Sequence, residues 1–240
     1  MEIKTCFKRY ELKYLLDPEQ YAAVRCAMAC RTVPDAYGKS RINNLYFDTP
    51  DFRIIRHSLE KPVYKEKLRL RSYGTVSGDG KVFAELKKKY QSVVYKRRAT
   101  MTWDGAKAFF RDPMPKTQIE REIAYFLSVY PGVAPAVWLS YAREAFFAAD
   151  DPELRITFDT DVLARWEHLS LAGGVYGTPM LPQGQVLMEV KAAGAVPLWL
   201  VGCLSENGIR QTSFSKYGTA YRNRLQHSLL TGGQQNAKSV

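Results

Sequence analysis

The segment KLRLRSYG, residues 67–74, decides which kind of fold this chain adopts. In it Lys67, Arg69 and Arg71 alternate with two leucines. Because successive side chains of an extended strand point to opposite faces, this alternation predicts a strand with one cationic face and one apolar face. Water solvates such a cationic face cheaply, so a single strand leaves open whether its cations meet solvent or a bound anion.

The composition is that of a globular protein with a basic excess. The 240 residues are 46% hydrophobic and 12% aromatic, which is typical of a packed chain. Lys and Arg number 35 against 24 Asp and Glu, which gives a formal net charge of +11. This excess indicates a polyanionic partner: nucleic acid, a phosphate-rich small molecule or an anionic membrane surface.

The cysteines and the apolar segments bear on the cellular compartment. The four cysteines form no CxxC pair and have no metal-site spacing. Cys26 and Cys30, four apart in a predicted helix, are expected to be small buried side chains. The charged N-terminal segment lacks the apolar core of a signal peptide, and the longest apolar run, residues 195–204, is about half a membrane span. We therefore expect a soluble protein in a reducing compartment, the cytoplasm.

The pattern along the chain predicts a single α+β domain. Strands are predicted over residues 6–16, 40–48, 65–73, 81–89, 92–101, 135–147, 153–160 and 185–192. Helices are predicted over residues 17–30, 51–58, 102–111, 117–130 and 197–206, with a last one from near Ser215. We expect one closed antiparallel eight-stranded β-barrel with helices packed outside, spanning residues 1–230, and a disordered tail over 231–240.

Seven of the predicted strands repeat the division into a charged face and a largely apolar face. The charged faces are dominated by Arg and Lys, whereas a solvated face usually mixes both signs, and the apolar faces need cover from the helices. A closed barrel with helices outside turns the charged face inward. Buried like charges are costly without a counter-charge, so such a lumen is expected to be wet or to hold an anion. An elongated phosphate chain with a divalent cation fits that requirement.

Nine motifs follow one another in the order of a known family. They are RYELKY (9–14), LYFDTPD (45–51), LRLRSYG (68–74), FAELKKK (83–89), YKRR (95–98), YAREAF (141–146), LRITFDTDV (154–162), LMEVKA (187–192) and SFSKYG (213–218). The set resembles the VTC (vacuolar transporter chaperone) polyphosphate polymerase domain of the triphosphate tunnel metalloenzymes, the superfamily that also contains the CYTH enzymes. CYTH hydrolases open with ExExK, whereas Arg9 stands at the first position here and removes one of their metal ligands.

The resemblance implies roles for individual residues. The implied catalytic cations are Lys13, Arg69, Arg71, Lys87, Arg143 and Arg155. The implied substrate-binding residues are Arg9, Lys96, Arg98, Tyr141, Lys191, Ser215 and Lys216. The main carboxylate for Mn²⁺ or Mg²⁺ is Glu189, and Glu85 and Glu11 are weaker metal-binding candidates. Ser215 is also a candidate N-cap that would direct the last helix and Lys216 at an anion.

The activity implied by the resemblance is transfer of the ATP γ-phosphate to a growing polyphosphate chain, with ATP and polyphosphate or pyrophosphate as partners. Three alternatives stay open: a metal-dependent tunnel triphosphatase or polyphosphatase, a non-catalytic polyphosphate-binding module, and an RNA-binding protein. The last would expose aromatics among surface cations, whereas tyrosines here alternate with the charges, so no nucleic acid is expected. A membrane-protein partner that this chain does not encode also stays open.

Overall fold

The computed structural model describes residues 10–91 and 93–236, and this part of the chain forms ten strands and six helices. The strands are β1 (Tyr10–Leu16), β2 (Thr32–Pro34), β3 (Ser40–Asp48), β4 (Tyr64–Tyr73), β5 (Lys81–Tyr90), β6 (Val93–Thr102), β7 (Ala134–Ala148), β8 (Arg155–Arg165), β9 (Thr178–Pro179) and β10 (Val186–Ala192). The helices are α1 (Pro18–Met28), α2 (Arg53–Leu59), α3 (Trp103–Arg111), α4 (Gln118–Val129), α5 (Leu198–Glu206) and α6 (Lys216–Asn236).

The strands follow one another in a single sheet in the order β1-β10-β8-β7-β3-β4-β5-β6, with β2 beside β7 and β9 beside β8. Strand pairs such as β1 with β10 and β4 with β5 are antiparallel. The predicted mixed α+β chain with a large antiparallel sheet is thus confirmed. The predicted count of eight strands is wrong, because β2 and β9 add two short ones. Within the described residues no hydrogen-bonded pairing joins β1 to β6, so the hydrogen bonds of the sheet do not close it into a barrel.

The largest difference in element bounds concerns β8, which the alternation predicts to end at residue 160. The strand continues to Arg165 through Asp161, a non-glycine residue with a φ of 49°. A left-handed residue changes the direction of a strand and interrupts the side-chain alternation on which the prediction rests. The sequence pattern therefore does not predict that β8 continues beyond Asp161.

The chain divides into two compact units. Among the described residues, the first holds those up to Ile42, 140–162 and 181–214, and the second holds those in 43–139, 163–180 and from Ser215 onward. The single-domain boundary at residue 230 stays a prediction.

The core of the second unit explains the alternation in β4. Leu68 and Leu70 are 0% and 2% exposed, and they pack with Trp103 of α3 and Phe126 of α4. The helices thus cover the apolar face of β4, as the pattern predicts, and the cations of this strand lie on its other face.

The core of the first unit overturns the expectation for two cysteines. Val24 and Met28, four apart on α1, face a core that includes Phe158 of β8. Cys26 and Cys30 are both exposed, because Cys26 lies away from that face of the helix and Cys30 lies beyond the end of α1.

Helix α6 contributes to the core of the second unit. Tyr217 is 1% exposed, and its hydroxyl donates a hydrogen bond to Asp48 Oδ2 at 2.7 Å. The helix continues through Asn236, and residues 237–240 lie outside the described part, so the disordered tail over 231–240 stays a prediction. Among the described helices, none has the length and the apolar character needed to cross a bilayer.

Candidate polyanion-binding site

The hairpins β4–β5 and β5–β6 place most of their cations on the face opposite the apolar core. Residues directly opposite one another in an antiparallel sheet form rows on one face, and these rows recur every second residue. The rows on this face are Arg71–Phe83–Thr100, Arg69–Glu85–Arg98, Lys67–Lys87–Lys96 and Lys65–Lys89–Val94.

One carboxylate lies among four cations in the second unit. Arg69 Nη2 lies 2.7 Å and Arg71 Nε 3.7 Å from Glu85 Oε2. Lys96 Nζ and Arg98 Nε both lie 2.8 Å from Glu85 Oε1. These five residues, the Glu85 cluster, combine four positive charges with one negative charge, which leaves an excess of three. The Glu85 side chain is 1% exposed, so the negative charge is buried while part of the positive charge faces outward.

The ionisation of the Glu85 cluster follows from these contacts. Burial alone would raise the pKa of the Glu85 carboxyl, but the guanidinium groups of Arg69 and Arg71 outweigh burial and hold this pKa far below its usual range. Burial is also the main cause that lowers the pKa of the Lys96 ammonium to about 8; Glu85 opposes this shift, while Arg71 and Arg98 add to it. The carboxylate is therefore charged at neutral pH, and Lys96 loses its charge at a mildly alkaline pH.

Two side chains that the sequence did not single out position these arginines. Arg69 Nη1 donates to the hydroxyl of Tyr46 at 2.7 Å, and Arg71 Nε donates to Asn44 Oδ1 at 3.0 Å. The ring of Tyr46 lies 5.0 Å from the ring of Tyr217 between centroids. Contacts to β3 and α6 therefore limit the rotamers that the two guanidinium groups can adopt.

The start of α6 lies beside the lysine row. Ser215 Oγ accepts hydrogen bonds from the Gly218 N–H at 3.2 Å and from Lys67 Nζ at 3.3 Å. The first of these is the hydrogen bond of an N-cap residue. Lys216 is the first residue of α6, and Lys87, opposite Lys67, is exposed.

A second charged group lies in the first unit. This Glu189 cluster consists of Glu11 and Lys13 on β1, Arg143 on β7, Asp159 on β8, and Glu189 and Lys191 on β10. Lys13 Nζ lies 3.2 Å from Glu11 Oε1 and 3.7 Å from Glu189 Oε1, and it donates to the Phe214 carbonyl at 3.0 Å. One ammonium therefore lies between two carboxylates.

The rest of the Glu189 cluster is held by an arginine fork. Arg143 donates from Nε and Nη2 to the two oxygens of the fully buried Asp159, at 2.6 Å and 2.7 Å. Its Nη2 also lies 3.4 Å from Glu189 Oε2, and Lys191 Nζ lies 3.7 Å from the same oxygen. The ring of Tyr141 lies 5.1 Å from the Arg143 guanidinium. Across the described residues of this cluster, three cations meet three carboxylates and the charges balance.

A buried hydroxyl lies next to Glu189. Thr157 on β8 is directly opposite Glu189 on β10, is 1% exposed, and its Oγ1 has no hydrogen-bond partner in the described structure. No group of three His, Cys, Asp or Glu side chains arranged to hold a metal occurs in the described residues. A hard cation held by one or two carboxylates and substrate oxygens does not need such a group. The oxygens of Glu189, Glu11 and Thr157 fit that kind of site.

The structure gathers most of the predicted site residues into these two groups, and it leaves others apart. The Glu85 cluster holds the predicted Arg69, Arg71, Lys96, Arg98 and Glu85, with Lys87, Ser215 and Lys216 in the same unit. The Glu189 cluster holds the predicted Glu11, Lys13, Arg143, Glu189 and Lys191, with Tyr141 beside it. Arg155 lies 3.4 Å from Asp35 Oδ2. Arg9 lies outside the described residues. The sequence analysis missed the roles of Asn44, Tyr46 and Thr157, although Tyr46 belongs to the LYFDTPD motif.

Comparisons with known proteins agree with this fold. The family model described as the VTC domain matches residues 8–224. No curated protein matches the sequence. A candidate adenylate cyclase from Bacillus halodurans is similar with a TM-score of 0.53 and 15% identity, over 85% of this chain and 92% of that chain. A candidate adenylyl cyclase from Hippeastrum, described as having a dominant triphosphatase activity, is similar with a TM-score of 0.52 and 16% identity, over 89% of this chain and 95% of that chain. At such identities the likeness concerns the fold alone.

Proposed function

Because the chain belongs to the VTC domain family, we propose that it is a polyphosphate polymerase that transfers the γ-phosphate of ATP to the end of a polyphosphate chain. The observation that carries this proposal is the Glu85 cluster, in which four cations exceed one carboxylate by three charges. Guanidinium groups can bind phosphate oxygens in bidentate fashion and stay charged at physiological pH. Closure of the sheet around a basic tunnel, which the family resemblance implies, is part of this proposal.

Within the Glu85 cluster we assign different roles to buried and exposed groups. Glu85 and Arg71 are 1% and 9% exposed, whereas Lys96 and Arg98 are 43% and 36% exposed. The exposed cations can reach a phosphate chain, and the buried pair keeps them in place. Both carboxylate oxygens of Glu85 contact cations at 2.7–2.8 Å, whereas the cations described around Glu189 lie at 3.4–3.7 Å, so we assign Glu85 the role of counter-charge rather than that of metal ligand.

The Glu189 cluster suits the divalent cation, Mn²⁺ or Mg²⁺. Its charges balance, so a triphosphate that binds there needs added positive charge. Glu189, as the chief ligand, with Glu11 and Thr157 offers oxygens of the type that these ions prefer, and phosphate oxygens would complete the coordination. When bound, the ion neutralises charge on the phosphoryl group that is transferred.

The remaining contribution of this chain to the reaction is to position the phosphates. Lys13 and Arg143, which both contact Glu189, are proposed to orient the phosphates. Since neither cluster, as described, contains a histidine, we propose direct transfer. An oxygen of the acceptor's terminal phosphate forms a bond to the γ-phosphorus while the bond from that phosphorus to the ADP oxygen breaks, and ADP leaves. Alignment of the acceptor raises its effective concentration far above that in bulk solution.

A metal-dependent triphosphatase or polyphosphatase is the second candidate function. The triphosphatase activity described for the Hippeastrum protein favours it. Such an enzyme would use the same cations with water as the nucleophile. The presence of Arg9 where CYTH hydrolases have a glutamate favours transfer.

The test is a product analysis. Purified protein is incubated with ATP and Mn²⁺ or Mg²⁺, with and without a pyrophosphate primer, and the products are separated on a gel while ADP is quantified. A ladder of long chains accompanied by ADP is the expected result. Orthophosphate as the only phosphate product would favour the triphosphatase, and no consumption of ATP would favour a binding module. Lys13→Ala is the expected inactive variant. The control is Lys88→Ala, which removes a lysine from the face of β5 that lies away from the Glu85 cluster.

A further inference from the structure

A cavity of about 360 Å³ lies in the second unit, between α2, the first residues of β4 and the end of α4. Its described lining carries three cationic side chains, two carboxylates, two tyrosines and a histidine. This lining contains no member of the Glu85 cluster, and only Lys65 in it belongs to the cationic rows of β4 and β5. Tyr64 and Glu66 lie on the other face of β4, the one that carries Leu68 and Leu70. The proposed function therefore leaves this cavity without a role.

Two basic side chains of the cavity are paired with carboxylates, as is usual on a protein surface. Arg56 Nη2 contacts Asp51 Oδ2, and His57 Nδ1 lies 3.6 Å from Glu60 Oε2. The ring of His57 also contacts the Tyr64 carbonyl through Nε2, at 3.2 Å. These contacts account for both basic groups without a ligand.

The other two cations of the cavity, Arg53 and Lys65, differ. Neither forms an ion pair with a carboxylate within residues 10–91 and 93–236. The Arg53 guanidinium lies 6.0 Å from the centroid of the Tyr130 ring, and Lys65 Nζ donates to the Ser58 carbonyl at 3.4 Å. Burial is the main cause that lowers the pKa of the Lys65 ammonium, and neighbouring lysines add to it. A partly buried cation without a counter-charge is costly, so a bound anion would stabilise this pair.

The carboxylate that could neutralise these cations is held by two phenols. Glu66 lines the same cavity, and its Oε2 and Oε1 accept hydrogen bonds from the hydroxyls of Tyr64 at 2.8 Å and Tyr130 at 2.9 Å. Burial first, and then Glu66, raise the pKa of both phenols, that of Tyr130 to about 12. Both hydroxyls are therefore protonated donors at physiological pH. Because neutral groups hold Glu66, Arg53 and Lys65 stay available to an external anion.

We propose that this cavity binds a nucleoside phosphate, with its phosphate on Arg53 and Lys65 and its base against the exposed ring of Tyr64. A guanidinium group can bind two phosphate oxygens at once, and an ammonium adds a point charge. Bases stack on aromatic side chains without a requirement for one sequence of bases. The volume lies within the range of small-molecule sites, about 300–1,000 Å³. The proposal goes beyond the proposed function, because it requires neither a polyphosphate chain nor phosphoryl transfer.

The experiment measures the binding of AMP by calorimetry, without ATP and without metal. AMP combines a base with one phosphate, and it should bind more tightly than orthophosphate or adenosine. Arg53→Ala should weaken AMP binding at least about tenfold, the scale of losing a hydrogen bond between charged groups. Two control variants should keep the wild-type affinity. Arg121→Ala removes an exposed arginine of α4 that contacts Gln118, and Arg98→Ala removes a cation of the Glu85 cluster.

A second variant tests the part played by the phenols. Tyr130→Phe removes one of the two hydrogen bonds to Glu66, so this carboxylate can approach Arg53 and compete with the anion. The AMP affinity should fall by a factor of up to about 5, the scale of a partly exposed ion pair. Adding Glu66→Gln to Tyr130→Phe should restore the affinity, because the competing charge is gone.

Four results would overturn the nucleotide site: no AMP binding by the wild type, an unchanged affinity in Arg53→Ala, an equal loss in Arg53→Ala and Arg98→Ala, or orthophosphate binding as tightly as AMP. Melting curves without ligand check that each variant is folded. The measurement involves no phosphoryl transfer, so the product gel that tests the polymerase neither supports nor overturns it.

Discussion

Replacement of Glu85 by glutamine removes the only negative charge of the Glu85 cluster while keeping the shape of the side chain. Removing one partner of a buried ion pair typically costs about 3–5 kcal/mol, because the remaining charge stays buried without compensation. Lys96 and Arg98 are 43% and 36% exposed, so water compensates part of their charge. We therefore expect the lower end, about 3 kcal/mol of unfolding free energy. For a chain of this size, with about 2–4 °C per kcal/mol, the melting temperature should fall by roughly 6–12 °C.

The assay is thermal unfolding with and without tripolyphosphate. A bound anion replaces the missing negative charge, and a ligand that binds only the folded state stabilises it in proportion to its affinity. Tripolyphosphate should therefore raise the melting temperature of Glu85→Gln more than that of the wild type. Glu122→Gln is the control, because Glu122 pairs with the exposed Arg97 and should cost no more than about 1 kcal/mol. If both variants lose equally little stability, or if tripolyphosphate stabilises Glu85→Gln no more than the wild type, Glu85 is not the counter-charge of an anion site.

Three further predictions concern binding and turnover. Tripolyphosphate affinity should fall as the pH rises through about 8, because the Lys96 ammonium loses its proton there and must regain it when the anion binds. Calorimetry at several pH values measures this fall in affinity. Lys96→Arg, whose side chain stays charged, should abolish it. Glu189→Gln should lose turnover at limiting Mn²⁺ while polyphosphate binding survives, and wild-type turnover in a Mn²⁺ titration would move the metal away from Glu189. Arg71→Ala removes a charged contact that holds Glu85, and with it the exposed cations, in place, so it should weaken tripolyphosphate binding by about 1.5–3 kcal/mol, the scale of a hydrogen bond to a charged group. An unchanged affinity would show that Arg71 does not position the site.

The helices and most strands could be predicted because their signals are local. Alternation of cations and leucines over residues 67–74 needs no distant partner to specify an extended strand with two faces. The predicted bounds of strands and helices were wrong where no local sequence signal marks the end of the element. The continuation of β8 beyond Asp161 depends on pairing with other strands, and the short β2 and β9 have too few residues for any periodicity. Likewise α6 runs beyond residue 230, although the composition there favours disorder.

The sequence predicted which types of residue form the candidate site and on which faces of the strands they lie, but not which residues contact one another. Parity alone put Arg69 and Arg71 on the charged face, and the order of the motifs pointed to Glu189 as a metal ligand. The alternation of side chains along a strand could not reveal that Asn44 and Tyr46 orient the two arginines. These contacts join side chains of β3 to side chains of β4, and the alternation within one strand does not show which strand lies beside it. The unpartnered hydroxyl of Thr157 was also beyond the sequence, because a threonine on a strand is ordinarily read as a residue of good β propensity.

The sequence by itself determined that this chain has strands with segregated faces, a basic excess and the ordered motifs of one family. Only the tertiary structure decided which charges meet. Glu85 lies among four cations because the register of two hairpins sets residues 69, 85 and 98 in one row, and a shift of one residue would turn every side chain of a strand to the other face. Glu189 meets Lys13 because β1 pairs with β10 from the far end of the chain. Such pairings depend on the whole sheet, since the free energy of a charge contact depends on burial and on neighbours that are distant in sequence.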